Sequence, residues 1–298
     1  MNRHRLVGAV CAALSVIALM TPTACRAQEG KDIVWFGNSF TLATCCGSTR
    51  SVPAVLRDIA VAAGEPSPNI ADNSVNGRSL QDHLNGNLRI IDAGIAPGDD
   101  WEFVVLQDYS TQPTHIGNLS LHLSSTLQLY QQVAARSANV VPVLYETWAR
   151  GYGNAFYAGA LPDFPGGPAE MQAELREGYE MSTANIDAVV GGDIARLAPA
   201  GDAWELADFP ANFYGDGSYH ASNRGTLLNA LVIYGTIYGD PTTSDIDISG
   251  VLASLGLSAA DGQQLTGLAD SVLAVPEPGA WSLAAAACAT IAWRRRRR

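Results

Sequence analysis

Along the chain, short runs of consecutive apolar residues alternate with stretches whose apolar positions recur every three or four residues. "DIVWF" (32–36), "WEFVVLQ" (101–107) and "NVVPVLYETW" (139–148) are runs of the first kind. Their length and β-branched content predict strands buried on both faces. "NIADNSV" (69–75) predicts a weaker strand. "SVPAVLRDIAVAAG" (51–64) is of the second kind: Val52, Val55, Leu56 and Ile59 share one helical face, and Gly64 ends it. Helices are also expected over 79–91, with a glycine flaw, and over 123–137, 169–190 and 223–239. Residues 194–207 suggest a short strand followed by a turn or helix. Residues 149–169 are rich in Gly, Pro and aromatics and read as a long loop or lid. The stretch 240–274 reads either as a small helix or as a spacer. Strands alternating with helices in this way predict a parallel sheet covered on both faces. Such sheets bind ligands at the carboxyl ends of their strands. Chemistry is therefore expected on the loops that begin at Gly37, Val75, Gln107, Glu146 and Ala200.

The two ends break the alternation. Arg3, His4 and Arg5 precede an apolar run from Leu6 to Met20 and then "TPTACRAQ". A basic segment, an apolar segment and a small-residue cleavage zone predict a secretory signal peptide over 1–27. Cys25 is an alternative lipidation site, although Pro22 and Thr23 make a poor lipobox. At the other end, Pro276, Glu277 and Pro278 lead into an uncharged Ala-rich segment, Gly279 to Trp293, and then five arginines. The segment falls short of the ~20 residues of a comfortable membrane span, and the arginines would hold its end in the cytoplasm. A surface helix with a basic tail is the alternative. Residues 275–298 resemble a PEP-CTERM sorting signal of Gram-negative bacteria. That resemblance implies transient inner-membrane anchoring, removal by an exosortase, and delivery to the cell surface or extracellular polymer.

Between these ends lie about 250 residues, the size of one large domain. They carry 28 acidic and 10 basic residues, a formal charge of −18. Such a surface repels polyanions, which argues against nucleic acid and anionic membranes as partners. Cys45 and Cys46 are the cysteines of this region. They can form a vicinal disulfide after export or stay as two thiols. Further ligands at metal-like spacing are not visible beside them in the sequence, so no metal is expected.

Candidate chemistry falls in five stretches. "GNSFT" puts Ser39 just after the first strand; a serine hydroxyl is a weak nucleophile unless a base takes its proton. Gly77 follows the second strand in "NSVNGRSL", where a glycine lets a backbone N–H approach a ligand. Gln107 and Asp108 end the third strand in "FVVLQDYSTQP"; a Gln amide can donate to an oxyanion or simply cap the strand. "GDGSYHASNRG" (215–225) sets His220 four residues after Asp216 and just before an apolar helix, with Ser222 as a helix cap. His83, His115 and His122 lack such a local carboxylate-and-turn setting. Glu146 and Trp148 end the fourth strand, and with Tyr109, Tyr152 and Phe156 they either contact substrate or pack beneath the long loop. The elbow G-x-S-x-G is absent.

Ser39, Gly77, Gln107, then Asp216 and His220 occur in the order of the SGNH, or GDSL-like, hydrolases, and residues 31–240 resemble that family. The first block is closest to a bacterial branch reading "GNSFT" in place of "GDSL". The resemblance implies a three-layer α/β/α sandwich with a mostly parallel five-stranded sheet, in a hydrolase domain over 28–240, and no metal or organic cofactor. It implies Ser39 as nucleophile, His220 as base and Asp216 as its orienting group. Backbone N–H groups of Ser39 and Gly77 and the Gln107 side chain would form the oxyanion hole. Asn38, Asp108, Glu146 and Trp148 are the expected substrate contacts. It implies ester substrates: acyl groups on lipids, simple esters, or acetyl groups on sugars. Two departures stand out. The family's D-x-x-H is D-x-x-x-H here, and its third-block Asn is Gln107. A glycan-binding protein without activity, on the same fold, is the alternative from another class; a lipid-acting esterase would need an apolar groove that 149–169 does not obviously provide.

Overall fold

The computed structural model describes residues 29–86 and 88–274. The signal-peptide and sorting-signal readings lie outside the described residues. Five strands, β1 (Asp32–Phe36), β2 (Asn69–Asp72), β3 (Phe103–Leu106), β4 (Val141–Tyr145) and β5 (Arg196–Ala198), form one sheet in the order β2-β1-β3-β4-β5. Every pairing is parallel. β1 is inside the sheet, with Ile33 opposite Ile70 of β2 and Phe103 of β3. Alternate side chains feed two separate cores. Ile33, Trp35, Phe103, Val105, Val143 and Tyr145 enter one; Val34, Phe36, Val104, Leu106 and Leu144 enter the other. Because both faces are covered, the strand positions 33–36, 103–106 and 141–145 carry no charged residue and are almost wholly apolar.

Helices α2 (Val52–Ala62), α7 (Ala200–Leu206) and α8 (Asn223–Tyr238) cover the first face. The second face is covered by α3 (Leu80–Leu84), α4 (Ile90–Ala93) and α5 (Leu119–Arg136), and α6 (Pro168–Val190) contributes to both cores. This is the expected three-layer α/β/α sandwich. The stretch 79–91, expected as one flawed helix, is the pair α3 and α4. α5 begins before position 123 because Asn118 Oδ1 accepts the Leu121 N–H at 3.0 Å and caps it there.

The stretch after Asp240 is neither a single helix nor a spacer. It forms α9 (Ser249–Leu255) and α10 (Ala259–Leu273), the latter opened by a Ser258–Asp261 capping box. Leu265 and Ala269 are fully buried against the first core, and Leu273 packs on Gly235 of α8. Burying leucines here contributes about 1.5–3 kcal/mol each, so this segment belongs to the fold. Residues 149–167 are mostly irregular and more than half of them are exposed, Tyr152 and Leu161 among them, but Ala149 and Phe164 anchor the segment, fully buried. Among the described residues no helix is long and apolar enough to cross a membrane.

Candidate active site

After β1 the chain turns at Gly37 and Asn38 into a single helical turn, α1 (Ser39–Leu42). Asn38 builds this turn. Its Oδ1 accepts the Phe40 N–H at 3.0 Å, capping α1, and its Nδ2 donates to Arg78 O at 2.9 Å and Asp108 O at 3.2 Å. One buried amide thus ties together the loops after β1, β2 and β3. The His83 ring donates from Nε2 to Gly37 O at 2.9 Å and fixes the end of β1. Burial holds the His83 ring below its ordinary pKa, so it stays a neutral donor.

Ser39 is the first residue of α1, and its Oγ lies 3.0 Å from His220 Nε2. His220 Nδ1 lies 2.6 Å from Asp216 Oδ2. An ionised carboxylate only accepts, so Nδ1 carries the ring proton and Nε2 is left to accept from the serine. Partial burial pushes the Asp216 carboxyl up. The hydrogen bonds it receives from the His220 ring and from the His220 and Tyr219 N–H groups outweigh that and hold it below its ordinary value. Ser39, His220 and Asp216 therefore form a continuous hydrogen-bonded relay.

The loop geometry explains how Asp216 reaches across one residue more than the family spacing. Its Oδ1 accepts the N–H of Tyr219 at 3.0 Å and of His220 at 2.9 Å, which curls the intervening residues around the carboxylate. Gly217, at φ +98°, allows the curl. Tyr214 and Ala221 pair as an isolated antiparallel bridge, and Gly215 N–H donates to His220 O at 2.8 Å, closing the loop's neck.

A second loop braces the first. Trp148 Nε1 donates to Tyr219 O at 3.0 Å, and Gly151 N–H to Ser218 O at 2.9 Å. The Tyr214 hydroxyl donates to Ala149 O at 3.0 Å. Trp148 is stacked between Phe40, at 4.3 Å, and Trp204, at 4.4 Å. The Arg150 guanidinium lies 3.7 Å over the Tyr219 ring and donates from Nη2 to Ser110 Oγ at 2.7 Å. Burial lowers its pKa to about 10, and the neighbouring tyrosines oppose the shift. Arg150 and Tyr219 were not singled out by sequence, because their importance comes from meeting each other.

Several expected site residues have different surroundings. Gln107 is fully buried; its Oε1 accepts from Asn38 N–H and Thr41 Oγ1, each at 3.0 Å, and its Nε2 donates to the Asp108 carbonyl. Both its oxygen and its amide nitrogen are engaged in the turn that presents Ser39, and the side chain has no exposed surface. Asp108 is fully buried, accepting from Leu80 N–H at 2.9 Å, Tyr109 N–H at 2.7 Å and His122 Nδ1 at 2.9 Å. Glu146 is also fully buried, accepts from Gln172 Nε2, and has its carboxyl pushed well up by burial. Trp148 is buried in its stack. None of these three offers a surface to substrate. Tyr109 and Tyr152 are exposed, whereas Phe156 packs against the core. Gly77 is exposed with φ +73°, a conformation other residues rarely adopt. Among the described residues, the N–H groups of Ser39 and Gly77 have no hydrogen-bond acceptor. Cys45 and Cys46, open in the sequence between thiols and a bridge, are joined by a disulfide. Histidines outside the relay also have carboxylates, supplied from far along the chain: His122 has Asp108, and His115 has Glu174.

No family model matches the chain, and no curated protein matches it. Solved structures share its fold. A putative SGNH hydrolase from Slackia heliotrinireducens superposes with a TM-score of 0.52 at 22% identity, covering 70% of this chain and 100% of that one. A DUF4886 family protein from Bacteroides uniformis gives 0.60 at 15%, covering 84% and 96%. A family 3 carbohydrate esterase from Clostridium thermocellum gives 0.50 at 14%, covering 76% and 100%. At these identities what is shared is the fold.

Proposed function

We propose that this chain is an exported serine esterase that removes acyl groups, acetyl first among them, from polysaccharide at the bacterial surface. The observation that carries the reading is the unbroken relay from Ser39 Oγ through His220 to Asp216. In the first step Ser39 Oγ attacks the ester carbonyl carbon as His220 Nε2 takes its proton. The carbonyl oxygen becomes an oxyanion, received by the backbone N–H groups of Ser39 and Gly77. Each such donor contributes about 3 kcal/mol to the transition state. His220 then returns the proton to the departing alkoxide, leaving an acyl-serine and free alcohol. Water, deprotonated by the same nitrogen, releases the acid and restores Ser39. Asp216 keeps the ring in the tautomer that can accept.

Export rests on the N-terminal segment. A sugar ester is favoured by exposed Tyr109 and Tyr152 on the loops after β3 and β4, and one structural neighbour is a carbohydrate esterase. The test is hydrolysis of p-nitrophenyl acetate and release of acetate from O-acetylated glycans by the mature chain beside Ser39→Ala. Turnover that the substitution abolishes without unfolding the protein supports the reading. Equal, negligible turnover in both would sink it and favour the non-catalytic glycan binder. The lipid-acting esterase would instead show as a preference for long acyl chains.

A further inference from the structure

The vicinal disulfide does not sit apart from the relay. The sulfurs of Cys45 and Cys46 and a ring nitrogen of His220 all lie within 4.8 Å of one another. The contact is built into the backbone. Cys46 N–H donates to Ala43 O at 3.1 Å and Ser48 N–H to the same oxygen at 3.2 Å, folding 43–48 into a tight turn after α1. That turn rests directly on the base loop: a Cβ on Gly47 would come within 2.3 Å of Gly215 Cα. Cys45 is exposed, and the His220 side chain retains 12% of its surface. Small solutes therefore have access to the cluster.

We infer that Cys45, Cys46 and His220 form a redox-gated site for a thiophilic cation such as Zn²⁺, unavailable in the disulfide state and open once the disulfide is reduced. This inference concerns regulation of the relay and rests, for its effect on turnover, on the esterase reading above. Two thiolates and an imidazole are a ligand set that zinc takes in tetrahedral sites, with the fourth position left to water. Zinc bonds of about 2.3 Å to sulfur and 2.0–2.1 Å to nitrogen set ligand atoms roughly 3.5 Å apart. The cluster needs only a small adjustment, together with separation of the two sulfurs. As a disulfide, neither sulfur is a thiolate and the set is incomplete.

The chemistry balances with an external reductant. A phosphine or a small dithiol breaks the S–S bond and leaves two thiols. The phosphine becomes its oxide, with oxygen from water; a dithiol becomes its own disulfide. Zinc then displaces the two thiol protons to solvent. The bound cation disables the base whichever ring nitrogen it takes. On Nε2 it occupies the lone pair that receives the Ser39 proton. On Nδ1 it displaces Asp216 and reverses the tautomer. The same turn that packs against the base loop would then switch it off.

The experiment compares the oxidised chain, the phosphine-reduced chain and the Cys45→Ser/Cys46→Ser variant, each titrated with Zn²⁺ and with Co²⁺. Expected is one Zn²⁺ per reduced chain, a thiolate-to-cobalt charge-transfer band with Co²⁺, and a loss of p-nitrophenyl acetate turnover of at least tenfold that a chelator reverses. The oxidised chain and the double variant should bind no more than background and keep their turnover in zinc. Reduced protein that gives no cobalt–thiolate band, or that binds zinc with turnover unchanged, overturns the inference. Should no form hydrolyse any ester, the esterase reading fails by itself, and the zinc stoichiometry and cobalt spectrum still decide the metal site.

Discussion

His220–Asp216 and His122–Asp108 are the same chemical pair in two settings. In both, Nδ1 donates to an aspartate oxygen, at 2.6 Å in the first and 2.9 Å in the second. In both, the aspartate's other oxygen accepts two backbone N–H groups: Tyr219 and His220 in one, Leu80 and Tyr109 in the other. The difference is what Nε2 meets. For His220 it is Ser39 Oγ at 3.0 Å, at the edge of solvent. His122 is fully buried beside Tyr179, and its Nε2 has no partner among the described residues. A histidine–carboxylate pair alone is thus no sign of catalysis. A nucleophile on the far nitrogen and an open face convert a structural pair into a candidate relay.

The comparison can be broken by experiment, and the largest expected effect is on turnover. Ser39→Ala or His220→Ala should cost on the order of 10⁴-fold or more in kcat. Thermal melts of both variants should stay near that of the parent. His122→Ala, assayed per folded molecule, should keep its rate; an equal loss there would erase the distinction drawn between the two pairs. Asp216→Asn comes next, lowering kcat by about 10²–10⁴-fold, because an amide no longer enforces the accepting tautomer. Steady-state rates with KM nearly unchanged would be the signature.

Asp108→Ala should act on stability instead. It strips partners from buried His122 and from two buried-side N–H groups, at a cost of about 3 kcal/mol. Urea unfolding followed by circular dichroism measures it, and a midpoint equal to the parent's would show that the buried pair is not structural. Trp148→Leu should lower kcat by about tenfold, an estimate for a modestly misplaced base. It removes the stack on Phe40 and the hydrogen bond to Tyr219 O together, so Trp148→Phe, which restores only the stack, should recover part of the rate.

The smallest effect is on acid stability. Because Asp216 is held below its ordinary value, its contribution is complete above the unfolded value of about 3.9 and is lost as pH falls through the lower folded value. The stability gap between the parent and Asp216→Asn should therefore narrow between about pH 5 and pH 2. A gap that stays constant over that range would show that the carboxylate is not held by these hydrogen bonds.

What could be read from the chain was what depends on neighbours in sequence. The apolar runs within 32–36, 101–107 and 139–148 require two covered faces, and so pointed to a parallel sheet before any contact was known. The stretches around Ser39 and Asp216–His220 were likewise legible as polar loops, and the fold brings those two together. Pairs joined across the fold were not legible. Gln107 looked like an exposed amide at a strand end, yet Asn38, 69 residues earlier, takes its oxygen into the interior. Asp108 and His122 gave no sign of each other, being brought together by α5. Glu146 and Trp148 end a strand at the expected edge, but the packing of α6 and α7 against that end covers them. Local pattern determined the elements and the place of Ser39 just after β1. Which polar groups face solvent, and which turn inward, was decided by tertiary packing, because burial is a property of what comes to lie on top.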